Sequence, residues 1–143
     1  MADFAASTNL TTMTAAEGFT MNGQQQGDQF GLSVAAAGDV NGDGFGDIIV
    51  GAPFSPALGT TDAGRAYVVF GQQGGYSSNV LLGSLGSNGF LISGSTAVTD
   101  QNANLGYSVA GVGDVNGDGF DDVLVGAPDL GGSSTPSGDA YLV

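Results

Sequence analysis

Asp39-Val40-Asn41-Gly42-Asp43-Gly44-Phe45-Gly46-Asp47 returns as Asp114-Val115-Asn116-Gly117-Asp118-Gly119-Phe120-Asp121-Asp122. Both stretches place oxygen-bearing side chains at positions one, three, five and nine. A hard cation such as Ca2+ takes about six to eight oxygens, and alternate residues of a tight turn can aim short carboxylates and amides at one point. Gly44 and Gly119 let the turn close, because glycine tolerates positive φ. The main-chain carbonyl of Phe45 or Phe120 then comes in at position seven. The expected ligands are Asp39, Asn41, Asp43, Phe45 and Asp47 in the first loop and Asp114, Asn116, Asp118, Phe120 and Asp122 in the second. This predicts one Ca2+ per loop, two per chain.

An EF-hand would need a bidentate Glu at position twelve and helices on both sides. Position twelve is Val50 in one loop and Val125 in the other, and the flanks read as strands. One such loop could be a solvated turn, since Asp, Asn and Gly are what turns are made of. Two copies in matching contexts argue for metal.

The matching context is a repeat of the whole chain, offset by 75 residues from Asp39 to Asp114. Phe30-Gly31 answers to Leu105-Gly106, Ser33-Val34-Ala35 to Ser108-Val109-Ala110, and Val50-Gly51-Ala52-Pro53 to Val125-Gly126-Ala127-Pro128. Gly64 to Val69 pairs with Gly138 to Val143 at an offset of 74, a one-residue loss of the kind loops absorb. Upstream, Gly18-Phe19 corresponds to Gly89-Phe90. The units are residues 1–71 and 72–143.

Each unit holds short apolar runs bounded by Gly, Asn, Asp or Pro, the pattern of strands joined by turns. In the first unit these are Gly18 to Met21, Gly31 to Ala37, Asp47 to Val50 and Ala66 to Phe70, with a weaker segment near Asn9 to Met13. No segment makes a convincing amphipathic helix.

These residues resemble the FG-GAP repeats of integrin α-subunits and of bacterial extracellular proteins. The pairs that name the family stand here as Phe30-Gly31 and Gly51-Ala52-Pro53, with Leu105 in place of the second phenylalanine. The resemblance implies an all-β fold of two four-stranded β-propeller blades, each carrying a calcium loop between adjacent strands. Propellers close with about four to eight blades, and closure hides their edges. Two blades therefore call for completion, either by other copies in a ring or filament or by missing blades of a larger propeller. The expected function is an extracellular, calcium-binding structural or adhesive module that self-associates through its blade edges. The alternative is a piece of a larger propeller whose loops bind a glycan or protein ligand.

Composition narrows the partners. The chain has 14 acidic residues, one Lys or Arg (Arg65) and a formal charge of −13. Two divalent ions would leave it strongly acidic, so nucleic acid is excluded as a partner. A content of 27 glycines could suit a disordered linker, but 41% hydrophobic residues in ordered runs argue for folding. Calcium loops of extracellular type bind at roughly 10⁻⁴ to 10⁻³ M and would fill outside a cell. An extracellular, secreted or cell-surface location is therefore expected. No stretch approaches transmembrane length, so no membrane insertion is expected. The N-terminal residues lack the basic start and apolar core of a signal peptide, which predicts a leader removed or lying upstream.

No enzyme is expected. The chain has no His and no Cys, which excludes Ser-His-Asp triads, Cys-His dyads and His-ligated zinc. Ser33 and Ser108 lack the glycine two residues on that a nucleophile elbow requires. Asp121-Asp122 is the visible carboxylate pair, but Asp122 is assigned to calcium and adjacent strand residues point to opposite faces. Asp28 and Asp62 read as loop residues, and Phe19, Tyr67, Phe70, Phe90 and Tyr141 as packing aromatics. Asn9-Leu10-Thr11 matches an N-glycosylation triplet, and Ser133 to Ser137 reads as a flexible loop.

Overall fold

The computed structural model describes residues 10–14, 17–56, 62–76, 79–94, 103–130 and 137–143. Asn9 of the glycosylation triplet and residues 133–136 lie outside that set. The strands are β1 (Thr20–Met21), β2 (Ser33–Gly38), β3 (Asp47–Ala52), β4 (Arg65–Val69), β5 (Asn79–Val80), β6 (Gly89–Ser93), β7 (Ser108–Gly113), β8 (Asp122–Ala127) and β9 (Asp139–Leu142). Two short 3-10 turns, Leu82–Ser84 and Gly86–Asn88, are the only helical elements among the described residues. Among the described residues no helix is long and apolar enough to cross a membrane.

The all-β expectation holds, and β2, β3 and β4 fall close to the predicted apolar runs. Their neighbours differ from the expectation of four strands drawn from each unit. The four-stranded sheet has the order β2-β3-β4-β6, all antiparallel, and its fourth strand comes from beyond residue 71. The predicted strand Gly18 to Met21 is reduced to β1, which pairs in parallel with β5 in a separate two-stranded ribbon. Residues 10–12 form a turn rather than a strand. The second sheet, β7-β8-β9, has three strands.

Burial explains the exchange. After β4 the chain runs beneath the sheet, where Val80, Leu82 and Leu85 pack against Tyr67 and Val69. It then returns antiparallel to β4, with Val69 opposite Gly89 and Arg65 opposite Ser93. The apolar side chains of 79–85 thus cover one face of the sheet before β6 closes its edge. Phe19, Met21 and Phe30 pack into the same cluster.

The other face of the four-stranded sheet meets the three-stranded one. Ala37, Ile49, Ala66 and Val68 interleave with Leu105, Val123, Val125 and Ala127, all buried. Period-two alternation puts these residues on one face of each strand. The packing aromatics behave as expected in the first sheet. Tyr67 is 1% exposed and meets Phe30 edge-on at 5.6 Å, and Phe70 lies 6.0 Å from Phe90. Tyr141 differs, standing at 44% exposure.

Candidate metal loops

Both loops start from the same device. The β2–β3 ladder shifts register between Ala36 and Gly38, and β7–β8 does so between Gly111 and Gly113. A bulge bends a strand and re-aims the residues beyond it, here the turn that carries Asp39 or Asp114. Position nine is the first residue of the return strand, Asp47 or Asp122.

Inside each loop the first carboxylate organises the turn. Asp39 Oδ1 accepts the N–H groups of Gly42 (2.8 Å) and Asp43 (3.0 Å), and Oδ2 accepts that of Gly44 (2.9 Å). Asp114 does the same for Gly117, Asp118 and Gly119, at 2.6, 3.1 and 3.0 Å. Asn41 Oδ1 accepts the Asp43 N–H and Asn116 Oδ1 that of Asp118. Asp43 and Asp118 in turn hold the N–H groups of Phe45 and Phe120, each at 2.9 Å. Gly42, Gly44, Gly117 and Gly119 all have φ between 75° and 95°, where a side chain would strain the backbone.

The position-nine carboxylates are buried, Asp47 at 2% and Asp122 at 6% exposure. Asp47 Oδ2 accepts the Val40 N–H at 2.7 Å and its Oδ1 the Gly71 N–H at 2.7 Å, tying the loop to the end of β4. Asp122 Oδ2 accepts the Val115 N–H at 2.7 Å, while its Oδ1 takes the side-chain amide of Asn116 at 3.3 Å.

Sequence reasoning placed positions one, three and five in one turn, and the structure brings them together there. Every side-chain donor is an oxygen, the set a hard cation takes. The carboxylates are not already gathered as a cage: among the described residues no three acidic groups lie close enough to hold an ion. Position nine instead sits at the loop's base, occupied with main-chain donors and, in the second loop, with the Asn116 side-chain amide as well.

Gly71, whose N–H binds Asp47, was passed over in the sequence, and Asp121, read there only as half of a carboxylate pair, reaches out of its own loop to the main chain of Asp39. The available signal was the asymmetry at position eight, Gly46 against Asp121. Asp28 is a loop residue as expected, buried and accepting the N–H groups of Gln24, Gln25 and Phe30.

The FG-GAP repeat pattern matches residues 30–69 and 105–143, more than half of the chain. The chain belongs to the FG-GAP repeat family. Each match of this FG-GAP chain spans one bulged loop with its flanking strands. Among similar proteins, integrin alpha-4 of Xenopus laevis is 35% identical over 79% of the chain. Integrin alpha pat-2 of Caenorhabditis briggsae is 39% identical over 73%, and integrin alpha-2 of Mus musculus 37% over 69%. The chain spans about a tenth or less of the length of these relatives. Integrin α-subunits are cell-surface proteins, and the extracellular location read from the sequence agrees with that likeness.

Proposed function

We propose that this chain is a calcium-braced, non-enzymatic structural or adhesive module of the extracellular space that stacks head-to-tail with further copies of itself. The observation that carries the reading is a contrast between equivalent faces. Ile49, Val68 and Ala37 are fully buried under the second sheet. Their repeat counterparts on that sheet, Leu124, Leu142 and Val112, are 38%, 50% and 39% exposed. The surface that covers the first face includes Val109 and Val123. Their counterparts Val34 and Ile48 line an open apolar groove with Met21 and Val50, Val34 being 68% exposed. One copy therefore offers what the next would need to repeat the internal stack. Stacking would remove apolar surface from water, and a head-to-tail contact either closes a ring or grows a filament.

The calcium half of the reading rests on the donor set. Asp39, Asn41 and Asp43, with Asp114, Asn116 and Asp118, would hold the ions, aided by the carbonyls of Phe45 and Phe120 and by Asp47 and Asp122. A bound ion supplies positive charge that offsets three like-charged carboxylates per loop. Drawing those groups together orders the connection between neighbouring strands, so metal affinity becomes folding stability.

Light scattering on a size-exclusion column, in millimolar calcium and in chelator, tests both halves. A discrete or growing oligomer in calcium that becomes monomeric in Leu124→Asp is the expected result. A wild-type monomer at all concentrations contradicts self-association and favours the larger propeller with a protein or glycan ligand at its loops.

A further inference from the structure

The second loop leans on the first. Asp121 Oδ2 accepts the main-chain N–H of Asp39 at 2.8 Å, and the Asp121 N–H donates to the Asp39 carbonyl at 3.1 Å. The two residues, 82 apart in sequence, thus exchange a pair of bonds at the residue that opens the first loop. A Cβ on Gly38 would stand 2.1 Å from Asp121 Oδ2, and one on Gly42 would stand 2.7 Å from the Phe120 ring. Both contacts depend on bare glycine Cα atoms in the first loop and its entry. Residues seven and eight of the second loop are therefore seated on residues one and four of the first.

The contact is not part of the repeat. Position eight of the first loop is Gly46, which has no carboxylate to reach a neighbour. Asp121 is also next in sequence to Asp122, the buried residue that closes the second loop. Whatever fixes Asp122 fixes the position of Asp121, and Asp121 holds the backbone from which the Asp39 carboxylate projects.

We propose that Asp121 is a positioning residue that couples the two loops, so that occupancy of the second by calcium raises the calcium affinity of the first. The inference rests on the calcium reading above. Ordering the second loop fixes the Asp121 hydrogen bonds, and these restrict Asp39 before its own ion arrives. Part of the ordering cost of the first site is then already met, which is positive coupling. Linkage makes the effect mutual: the first ion raises the affinity of the second site by the same factor.

The test is a site-resolved calcium titration, following the amide resonances of Gly42 and Gly117 by NMR. Wild type, Asp118→Ala, Asp121→Gly and the double variant form a cycle. Disabling the second site with Asp118→Ala should weaken the first by about 5- to 10-fold. In the Asp121→Gly background, which copies Gly46, the same substitution should leave the first site unchanged. Asp121→Asn keeps an oxygen that can accept the Asp39 N–H and should keep the coupling. The proposal is overturned if Asp118→Ala weakens the first site equally with and without Asp121, if it has no effect in either background, or if Asp121→Asn uncouples as fully as Asp121→Gly. Failure of either loop to bind calcium in the wild type would instead overturn the calcium reading itself.

Discussion

The two repeat units carry nearly the same loop and the same strands, yet they occupy unequal surroundings. In the first, Asp47 anchors main-chain groups on both sides, Val40 and Gly71, and Asp39 is held from outside by Asp121. In the second, Asp122 spends its second oxygen on Asn116 within the same loop. The sheets show the same inequality: the face around Ile49 is sealed and the equivalent face around Leu124 is open. Local sequence sets the turn, and neighbours set how firmly it is held.

The largest expected effect exploits the sheets. Ile49→Ala removes a fully buried side chain and should cost about 2–5 kcal/mol in denaturant unfolding. Leu124→Ala should cost under about 1 kcal/mol in the monomer. Equal losses would break the comparison. Next comes position nine. Asp47→Ala strands the N–H groups of Val40 and Gly71, each held at 2.7 Å, and should cost about 2–4 kcal/mol in chelator; Asp122→Ala strands that of Val115 at 2.7 Å and that of Asn116 at a longer 3.3 Å, and should cost less. A larger loss at Asp122 would reverse the assigned ranking.

Calcium supplies the third contrast. Asp43→Ala and Asp118→Ala should each lower Tm in calcium and change it little in chelator. One site at a hundredfold excess over Kd contributes about 2.7 kcal/mol, which sets the scale of each loss. Equal losses in both conditions would deny the metal its role.

The smallest effect belongs to alkaline pH. Tyr76 donates its hydroxyl proton to the Phe70 carbonyl, and its pKa lies above the ordinary 10.0, chiefly from burial and secondarily from the negative charge of Asp47 and Asp43. A raised folded pKa means stability that is whole below the ordinary value and lost as pH climbs through the folded one. Tyr76→Phe should flatten that limb of the stability profile above about pH 10, whereas an unchanged limb would assign it to another group.

Much of this was legible in the sequence because it is encoded locally. Alternating Asp and Asn oxygens with glycines between them specify the turn, and short apolar runs bounded by turn residues specify β2, β3 and β4. The repeat register matched Gly89-Phe90 to Gly18-Phe19, the start of a predicted strand, and a strand does begin at Gly89. It could not say which sheet the strand joins, because that depends on where Val80, Leu82 and Leu85 find apolar cover after β4. The reach of Asp121 to Asp39 was hidden for a related reason. Within its own loop Asp121 is an extra acidic residue, and its partner is brought near only when β7 stacks on β2.

The most direct single measurement is thermal unfolding of the intact chain in millimolar calcium and again in chelator, with the Asp43→Ala/Asp118→Ala double variant beside it. Calcium-braced loops predict a clearly higher Tm in calcium for the wild type and no calcium response in the double variant. The same Tm for the wild type in both conditions would contradict them.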